Sequence, residues 1–323
     1  MEYTKKGAKS YARKNMHGLW GSIPYAFTKD HKLNEKGLIL DLRHYIDVLE
    51  IDGFYMGGII NEFWALTVEE RKRVQELLIR EAAGAVKTVT MTGHHCIETA
   101  IELTRHAEKV GADFVCLMNP YYPPGPPEVV FKYFQTIADS VEIGILILNS
   151  VTSGYLLSPA EVAKIAEIDN ICALKNDGGI EHSREIRRLV GDQIVVSDPK
   201  EDNWLVNMVI YGQQVFLASP SPHLFQWKGH FPLKTYTGLA MEGKVEEAKK
   251  VAATLDPLRR VAKKWIWDPW AKRELLPMAR LKYWQELMGL TPSFVRPPLI
   301  EMNEEEKRRM REELLKAGLR VVA

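Results

Sequence analysis

The segment Ile171-Cys172-Ala173-Leu174-Lys175-Asn176-Asp177-Gly178-Gly179 holds the most informative residue of the chain, Lys175. Four apolar residues precede this lysine and a polar, glycine-rich stretch follows it, which predicts a buried strand and then a loop. An amine held at the end of such a strand loses hydration, so its pKa falls. A neutral amine is a nucleophile that can form a Schiff base with a ketone. The alternative is a lysine whose side chain extends along the strand end into solvent.

Short apolar segments of the same kind recur along the chain and alternate with amphipathic stretches. The predicted strands are residues 19–23, 53–56, 88–91, 114–118, 144–148, 171–174, 194–196 and 215–218. Eight such alternations predict a (β/α)8 TIM barrel, an α/β fold. A doubly wound sheet is the alternative, but it usually has fewer strands and a glycine-rich phosphate turn. Neither a GxGxxG nor a P-loop pattern is present.

Helical patterns separate the predicted strands and dominate the end of the chain. The predicted helices are residues 68–83, 97–110, 128–139, 159–168, 242–261, 271–288 and 304–317. Thr67 with Glu70 forms a capping box, and Ser158 is an N-cap followed by Pro159 at the first helical position. We therefore predict an N-terminal extension over 1–17, the barrel over 18–238, and a C-terminal helical segment over 239–323 that packs on the barrel.

Composition excludes several classes of function. Lys plus Arg number 43 and Asp plus Glu 42, so the chain lacks the basic excess of proteins that bind nucleic acid or a membrane surface. The cysteines Cys96, Cys116 and Cys172 form no CxxC pair, which argues against a disulfide framework or a zinc cluster and suits a reducing cytoplasm. No apolar run reaches about 18 residues, and residues 1–14 lack the apolar core of a secretory signal. We expect a cytoplasmic enzyme without a bound metal.

In a barrel of this type the chemistry takes place at the carboxyl ends of the strands. Residues that follow the predicted strands there are Gly57, Gly58, Asn61, Glu62, His94, His95, Tyr122, Asn149, Ser150, Ser197 and Asp198. The Gly57-Gly58 pair permits a tight turn whose backbone N–H groups can hold a carboxylate, although it can equally be an ordinary loop. Asn176 and Asp177 either orient substrate or cap the next helix.

Tyr122, His94 and His95 are candidates for proton transfer, each with an alternative. Tyr122 is either a relay phenol or an aromatic wedge in an interface, since prolines surround it. The adjacent His94 and His95 point in different directions on an extended chain, so only one can face the pocket. A metal site that uses one of them with Glu62 lacks the usual ligand spacing. The more common outcome is a pocket wall or a loop histidine.

Four segments, in order along nearly the whole chain, resemble the dihydrodipicolinate synthase and N-acetylneuraminate lyase family of Schiff-base aldolases. Gly58-Ile59-Ile60-Asn61-Glu62 resembles its Gly-Thr-Thr-Gly-Glu, and Pro120-Tyr121-Tyr122 its Pro-Tyr-Tyr. Leu148-Asn149 resembles its Tyr-Asn, and Leu174-Lys175 its Ile/Leu-Lys. Residues 211–219 are similar to its eighth-strand region. The order and spacing of these motifs is more specific than any one of them.

The resemblance implies a class I aldolase in which a lysine condenses with pyruvate or a related 2-keto acid, with no cofactor. Lys175 would be the nucleophile, and Tyr122 would stand at the relay tyrosine. Gly58 and the amides of Ile59 and Ile60 would hold the substrate carboxylate. Further substrate contacts are expected at Asn61, Leu148, Asn149 and Phe216. The partners would be a small 2-keto acid and an aldehyde, and the subunits would form a homo-oligomer, a dimer of dimers.

The departures from the family motifs affect the chemistry. The family's catalytic tyrosine would lie at position 148, and its relay threonines at 59 and 60, yet leucine and isoleucine cannot carry a proton. Residues 150–154 contain no arginine of the kind that the lysine-biosynthesis enzyme uses for a distant carboxylate. These changes predict a substrate partner that is bulkier or less charged than the aspartate semialdehyde of lysine synthesis. Gly18-Leu19-Trp20 and Arg296-Pro297-Pro298 are similar to the aromatic hydratase-aldolase branch.

We therefore predict a lyase that forms or cleaves a C–C bond of a 2-keto acid. One form of this activity is a hydratase-aldolase with an aromatic or bulky partner. Protons would be moved by Tyr122, by His94 or His95, or by water. One alternative is a 4-hydroxy-tetrahydrodipicolinate synthase-type activity. Another is a homologue that binds keto acids without turnover, because a fold does not guarantee a function.

Overall fold

Eight parallel strands form a nearly closed barrel with helices between them, which confirms the predicted fold class. The computed structural model describes residues 2–123, 125–217 and 220–321. The strands are β1 Gly18–Gly21, β2 Gly53–Met56, β3 Lys87–Met91, β4 Phe114–Met118, β5 Gly144–Asn149, β6 Ile171–Asn176, β7 Val195–Ser197 and β8 Val215–Leu217. Ala218, predicted to end the last strand, lies outside the described residues.

Parallel ladders connect the strands in the order β7-β6-β5-β4-β3-β2-β1-β8. The two ends of this sheet meet where the backbone N–H of Leu217 donates to Ser197 Oγ at 3.1 Å. A register shift at Ile145 and Leu146 interrupts the ladder between β5 and β6. The strand β6 runs two residues beyond the predicted end at Leu174, so Lys175 belongs to the strand itself.

Side chains of the strands divide between two cores because alternate residues point to opposite faces. One core fills the barrel and includes Trp20, Tyr55, Cys116, Leu146 and Leu148. The other lies between the strands and the outer helices. The strands read as continuous apolar runs because both faces are buried.

Helices cover the outside of the barrel. They are α1 Ala8–Asn15, α2 Glu35–Arg43, α3 Val68–Ala82, α4 Ile97–Lys109, α5 Pro127–Asp139, α6 Pro159–Ile165, α7 Ile180–Val190, α8 Glu201–Tyr211, α9 Ser221–Phe225, α10 Pro232–Met241, α11 Val245–Ala253, α12 Asp256–Ala262, α13 Asp268–Ala271, α14 Met278–Leu287 and α15 Glu304–Lys316. The capping box of Thr67 with Glu70 is present at α3, and Ser158 caps α6 with Pro159 in its first turn.

The N-terminal segment packs against the amino ends of the strands. Ala8, Ala12 and Met16 belong to the core that fills the barrel. The Tyr3 hydroxyl donates to the carbonyl of Asp113 at 2.5 Å and accepts from the N–H of Gly144 at 2.8 Å. This segment therefore covers the end of the barrel opposite to the predicted site.

The C-terminal segment differs in detail from the prediction. The stretch 242–261 is divided between α11 and α12, where Pro257 stands in the first turn of α12. The stretch 271–288 becomes a long helix only at Met278, after Pro277. Proline fixes φ and lacks an N–H, so it favours the start of a helix over its interior. No helix in the described part of the chain combines the length and apolar composition needed to cross a bilayer.

Candidate active site

Four residues from neighbouring strands form one row at the carboxyl end of the barrel. Met118 pairs with Leu148, Leu148 with Lys175, and Lys175 with Ser197 in the ladders from β4 to β7. Met118 and Leu148 are each 7% exposed and Lys175 is 4% exposed, whereas Leu146 below them is fully buried. This row therefore lies where the interior of the barrel opens towards solvent.

The environment of Lys175 lowers the pKa of its amine to about 8 from the usual 10.5. Burial is the main cause, because a desolvated ammonium is costly. The Cys116 thiol and the Asp177 carboxylate act in the opposite direction. The result is an amine whose neutral form is well populated near neutral pH, as a Schiff-base nucleophile requires.

The ring of Tyr55 lies against this amine. Lys175 Nζ is 4.2 Å from the centroid of the Tyr55 ring. The Tyr55 hydroxyl reaches the β4 side of the barrel, where it is 3.5 Å from Cys116 Sγ. Sequence reasoning missed Tyr55 as a site residue. The available signal was the alternation in β2, which places Tyr55 and Gly53 on one face and Phe54 and Met56 on the other.

Close packing and backbone geometry explain the Gly57-Gly58 pair. A Cβ on Gly57 would lie 3.1 Å from Tyr55 and from Cys116 Cβ, so the backbone passes directly over these side chains. Gly58 has φ of 136°, a conformation that side chains disfavour. The next residues form the short 3-10 helix Ile59–Asn61, whose first N–H groups have no acceptor within the helix.

The side chains after Gly58 are occupied by structural contacts. Ile60 is buried in the core between strands and helices, and Ile59 packs against the same core. Asn61 donates to the carbonyl of Ile23 at 2.6 Å and accepts from Ser22 Oγ at 3.0 Å. The predicted substrate contacts at these three positions can therefore come from the backbone but hardly from the side chains.

Glu62 forms an ion pair with Lys282 of α14 at 2.7 Å, with both side chains almost completely excluded from solvent. Lys282 also donates to the carbonyl of Phe294. These contacts do not support the alternative of a metal site that combines His94 or His95 with Glu62. Its carboxylate is already paired, and no group of three metal-ligating side chains is present among the described residues.

The side chains of Asn149 and Phe216, two predicted substrate contacts, are directed into other contacts. Asn149 is fully buried, donates to the carbonyl of Leu157 and to Asn176 Oδ1, and accepts from the N–H of Leu157. Phe216 points out of the barrel and stacks on Trp204 of α8, with ring centroids 5.3 Å apart. Each residue neighbours an inward-facing one, so the alternation of the strand directs it away from the site.

The predicted proton-transfer residues lie on loops at the surface. Tyr122 is 75% exposed. The rings of His94 and His95 stack on each other at 4.3 Å, and the Tyr121 hydroxyl is 3.4 Å from His95 Nδ1. His94 Nδ1 accepts from the N–H of Cys96. These contacts join His94 and His95 to each other, to Cys96 and to Tyr121. The roles of Tyr122, His94 and His95 in proton transfer stay predictions. Pro124, in the same predicted loop as Tyr122, lies outside the described residues.

Asp177 lies at the mouth of the barrel beside Lys175. It does not cap α7, whose N-cap is Gly179 without a side-chain bond. It accepts a hydrogen bond from Ser150 Oγ at 3.3 Å. Burial raises the pKa of the Asp177 carboxyl, while Lys200 and Lys175 oppose this rise. Asp177 thus places an acidic group near the lysine at this end of the barrel.

Comparison with known proteins identifies relatives along nearly the whole chain. The profile described as "Dihydrodipicolinate synthetase family" matches residues 15–317. The N-acetylneuraminate lyase of Clostridium perfringens is 33% identical over 161 residues, which are 50% of this chain and 56% of that enzyme. The chain thus matches little more than half the length of this curated relative. The 4-hydroxy-tetrahydrodipicolinate synthase of Methanopyrus kandleri is 29% identical over 94% of this chain and 97% of its own.

Solved structures share the fold. A prophage protein of the dihydrodipicolinic acid synthase family from E. coli K12, solved in complex with pyruvate, has a TM-score of 0.81 at 24% identity, covering 94% of this chain and 99% of that chain. The dihydrodipicolinate synthase of Aquifex aeolicus has a TM-score of 0.82 at 24% identity, covering 95% and 100%. At this level of identity the likeness concerns the architecture.

Proposed function

The chain belongs to the dihydrodipicolinate synthetase family, and we propose that it is a class I lyase that forms or cleaves a C–C bond of a 2-keto acid such as pyruvate through a Schiff base on Lys175. The observation that carries this proposal is the buried amine of Lys175, held at the carboxyl end of β6 with a pKa lowered to about 8. With this pKa about a tenth of the amine is neutral at pH 7, and that fraction can attack a ketone without prior loss of a proton to another base.

The reaction would follow from this amine. Lys175 Nζ adds to the carbonyl carbon of the keto acid, and loss of water gives an iminium. In cleavage of a 4-hydroxy-2-keto acid, the hydroxyl group gives its proton to water as the electrons of the breaking C–C bond move into the iminium. This forms an enamine, and the other fragment leaves as an aldehyde. Protonation of the enamine and addition of water then release the keto acid and restore the amine. The positive nitrogen serves as the electron sink.

The carboxylate of the keto acid would bind to backbone N–H groups of the segment after β2. Gly58, with its φ of 136°, turns the chain into the short helix Ile59–Asn61. The first N–H groups of that helix are free of helical acceptors, and such groups favour anions. Because Tyr55 of the same strand contacts the Lys175 amine, this segment is close to the reacting centre.

The aldehyde partner would be apolar or bulky near the reacting carbon. Leu148 presents an apolar surface directly beside Lys175. Farther out, Asp177 and Ser150 offer an acid and a hydroxyl. A carboxylate on this part of a substrate would meet like charge at Asp177, which disfavours aspartate semialdehyde relative to an aromatic aldehyde.

Pyruvate consumption with a panel of aldehydes tests the proposal. We expect turnover with an aromatic aldehyde such as benzaldehyde, slower turnover with aspartate semialdehyde, and none with either in Lys175→Met. Preference for aspartate semialdehyde would favour the synthase-type alternative. Pyruvate binding by calorimetry without consumption of any aldehyde would favour the non-catalytic alternative. Turnover that survives in Lys175→Met would refute the Schiff-base mechanism.

We also infer that the loops after β4 and β5 contact a second copy of the chain. Tyr121, Tyr122 and Val151 are 42%, 75% and 66% exposed, an unusual density of exposed apolar surface. Gly154 of the second loop lies against the backbone of Tyr121 in the first. Light scattering should report an oligomer that Tyr122→Asp weakens, and a wild-type monomer at micromolar concentration would contradict this.

A further inference from the structure

Tyr55 is placed to interact with the atom at which charge develops. Its ring centroid is 4.2 Å from Lys175 Nζ, within the distance at which a cation is attracted to an aromatic face. Tyr55 is fully buried, as is the Cys116 side chain beside its hydroxyl. Burial strengthens the attraction because water does not compete for the charge.

The ring is held in position from several sides. The Tyr55 hydroxyl contacts Cys116 Sγ at 3.5 Å. The backbone of Gly57 and Gly58 passes close to the ring, since Cβ atoms built on these glycines would lie 3.1 Å and 3.5 Å from it. A group that is fixed before the reaction stabilises a developing charge without a cost of reorganisation.

A Schiff base needs such stabilisation more than the free amine does. A buried amine can avoid its charge by losing a proton, and the lowered pKa of Lys175 reflects this. The iminium must keep its positive charge to act as an electron sink. Leu148, adjacent on β5, contributes no charge or hydrogen bond to its stabilisation.

We propose that Tyr55 is a further catalytic residue, whose aromatic face stabilises the protonated Schiff base formed between Lys175 and a 2-keto acid. This inference rests on the proposed function. The face acts on the ammonium form of Lys175 as well, so its removal also lowers the pKa of the amine. Among the described residues, the titratable groups that act on the amine include Cys116 of β4 and Asp177 after β6, with Lys200 acting on Asp177.

The test compares aromatic rings that have nearly the same shape but opposite charge distributions on their faces. Tyr55→Phe keeps the aromatic face, whereas pentafluorophenylalanine at position 55 keeps nearly the same shape and reverses the charge distribution of the face. The amount of pyruvate adduct trapped by borohydride is measured against pyruvate concentration and pH. Above about pH 9 the free amine is neutral and only the iminium is charged. In that range we expect the pentafluoro variant to need about ten- to thirtyfold more pyruvate than Tyr55→Phe, the size of a desolvated cation–π contact. Its pH midpoint for adduct formation should also lie lower.

Tyr55→Leu provides a second comparison, in which the ring is lost altogether. Its pyruvate dependence and pH midpoint should resemble those of the pentafluoro variant. Circular dichroism reports whether it folds. Equal pyruvate dependence and pH midpoints in the Phe and pentafluoro variants would overturn the role of the face, whether or not Tyr55→Leu folds. A loss in Tyr55→Phe as large as in Tyr55→Leu would assign the effect to the hydroxyl and also overturn it. A wild-type protein that traps no pyruvate would instead refute the proposed function, and this inference with it.

Discussion

Leu148 and Lys175 lie directly opposite each other on the adjacent strands β5 and β6, so an apolar side chain borders the amine on this side. A phenol at this position could exchange protons with a bound keto acid. We predict that Leu148→Tyr raises the rate at which pyruvate methyl protons exchange with deuterated water by about a hundredfold, the lower end of general acid–base catalysis. Proton NMR of pyruvate measures this rate.

The matched control for that substitution is Leu148→Phe. It adds the same ring to the mouth of the barrel but no hydroxyl, so it separates proton transfer from a change in pocket shape. Equal exchange rates in the two variants would show that a group at position 148 cannot reach the proton that moves.

The pH dependence of Schiff-base formation should follow the amine of Lys175. Lowering its pKa from 10.5 to about 8 raises the neutral fraction at pH 7 roughly 300-fold. The initial rate of adduct formation with pyruvate should therefore increase as pH rises towards 8 and level off above it. Stopped-flow absorbance or timed borohydride quenching measures the profile. A rate that continues to rise beyond pH 10 would mean that the amine has an ordinary pKa.

The same lowered pKa means that Lys175 destabilises the folded state at neutral pH. The unfolded chain holds the lysine proton up to pH 10.5, whereas the folded protein releases it near 8, so folding becomes less favourable as pH falls through this window. We predict that Lys175→Met unfolds with a free energy about 3 kcal/mol higher than wild type at pH 7. The difference should shrink as pH rises towards 10.5. Urea unfolding at several pH values tests this, and a less stable variant at pH 7 would contradict it.

Substitution of Lys282 should have the opposite effect on stability. The side chain of Lys282 is buried, and its ammonium forms an ion pair with Glu62 at 2.7 Å. Removing one partner leaves a buried charge without compensation, which typically costs about 3–5 kcal/mol. Lys282→Met should therefore destabilise the protein at pH 7 in the same urea experiment. Stabilisation by this substitution would mean that the pair contributes nothing to the fold.

The barrel could be predicted from the sequence because its signals are local. Apolar strands, capped helices such as the one after Thr67, and the spacing between them all point to the same fold. Lys175 stood out for a similar reason, as one charge after four apolar residues. The ends of the C-terminal helices were harder to predict, because the apolar pattern continues across Pro257 and Pro277 whereas the helices do not.

The candidate site was predicted less well because single residues decide which face of a strand a side chain occupies. A shift of one position separates Leu148, inside the barrel, from Asn149, whose side chain holds the following loop. Phe216 points out of the barrel for the same reason. Tyr55 escaped notice because nothing in its own strand suggests chemistry. Its importance follows from a contact with a residue 120 positions later, which only the closed barrel brings about.

The most direct test of the account is the mass of the protein after incubation with pyruvate and borohydride, followed by peptide mapping. We predict one reduced pyruvyl adduct per chain, located on the peptide that contains Lys175 and missing from Lys175→Met. An adduct on another lysine, or none at saturating pyruvate, would contradict the central claim.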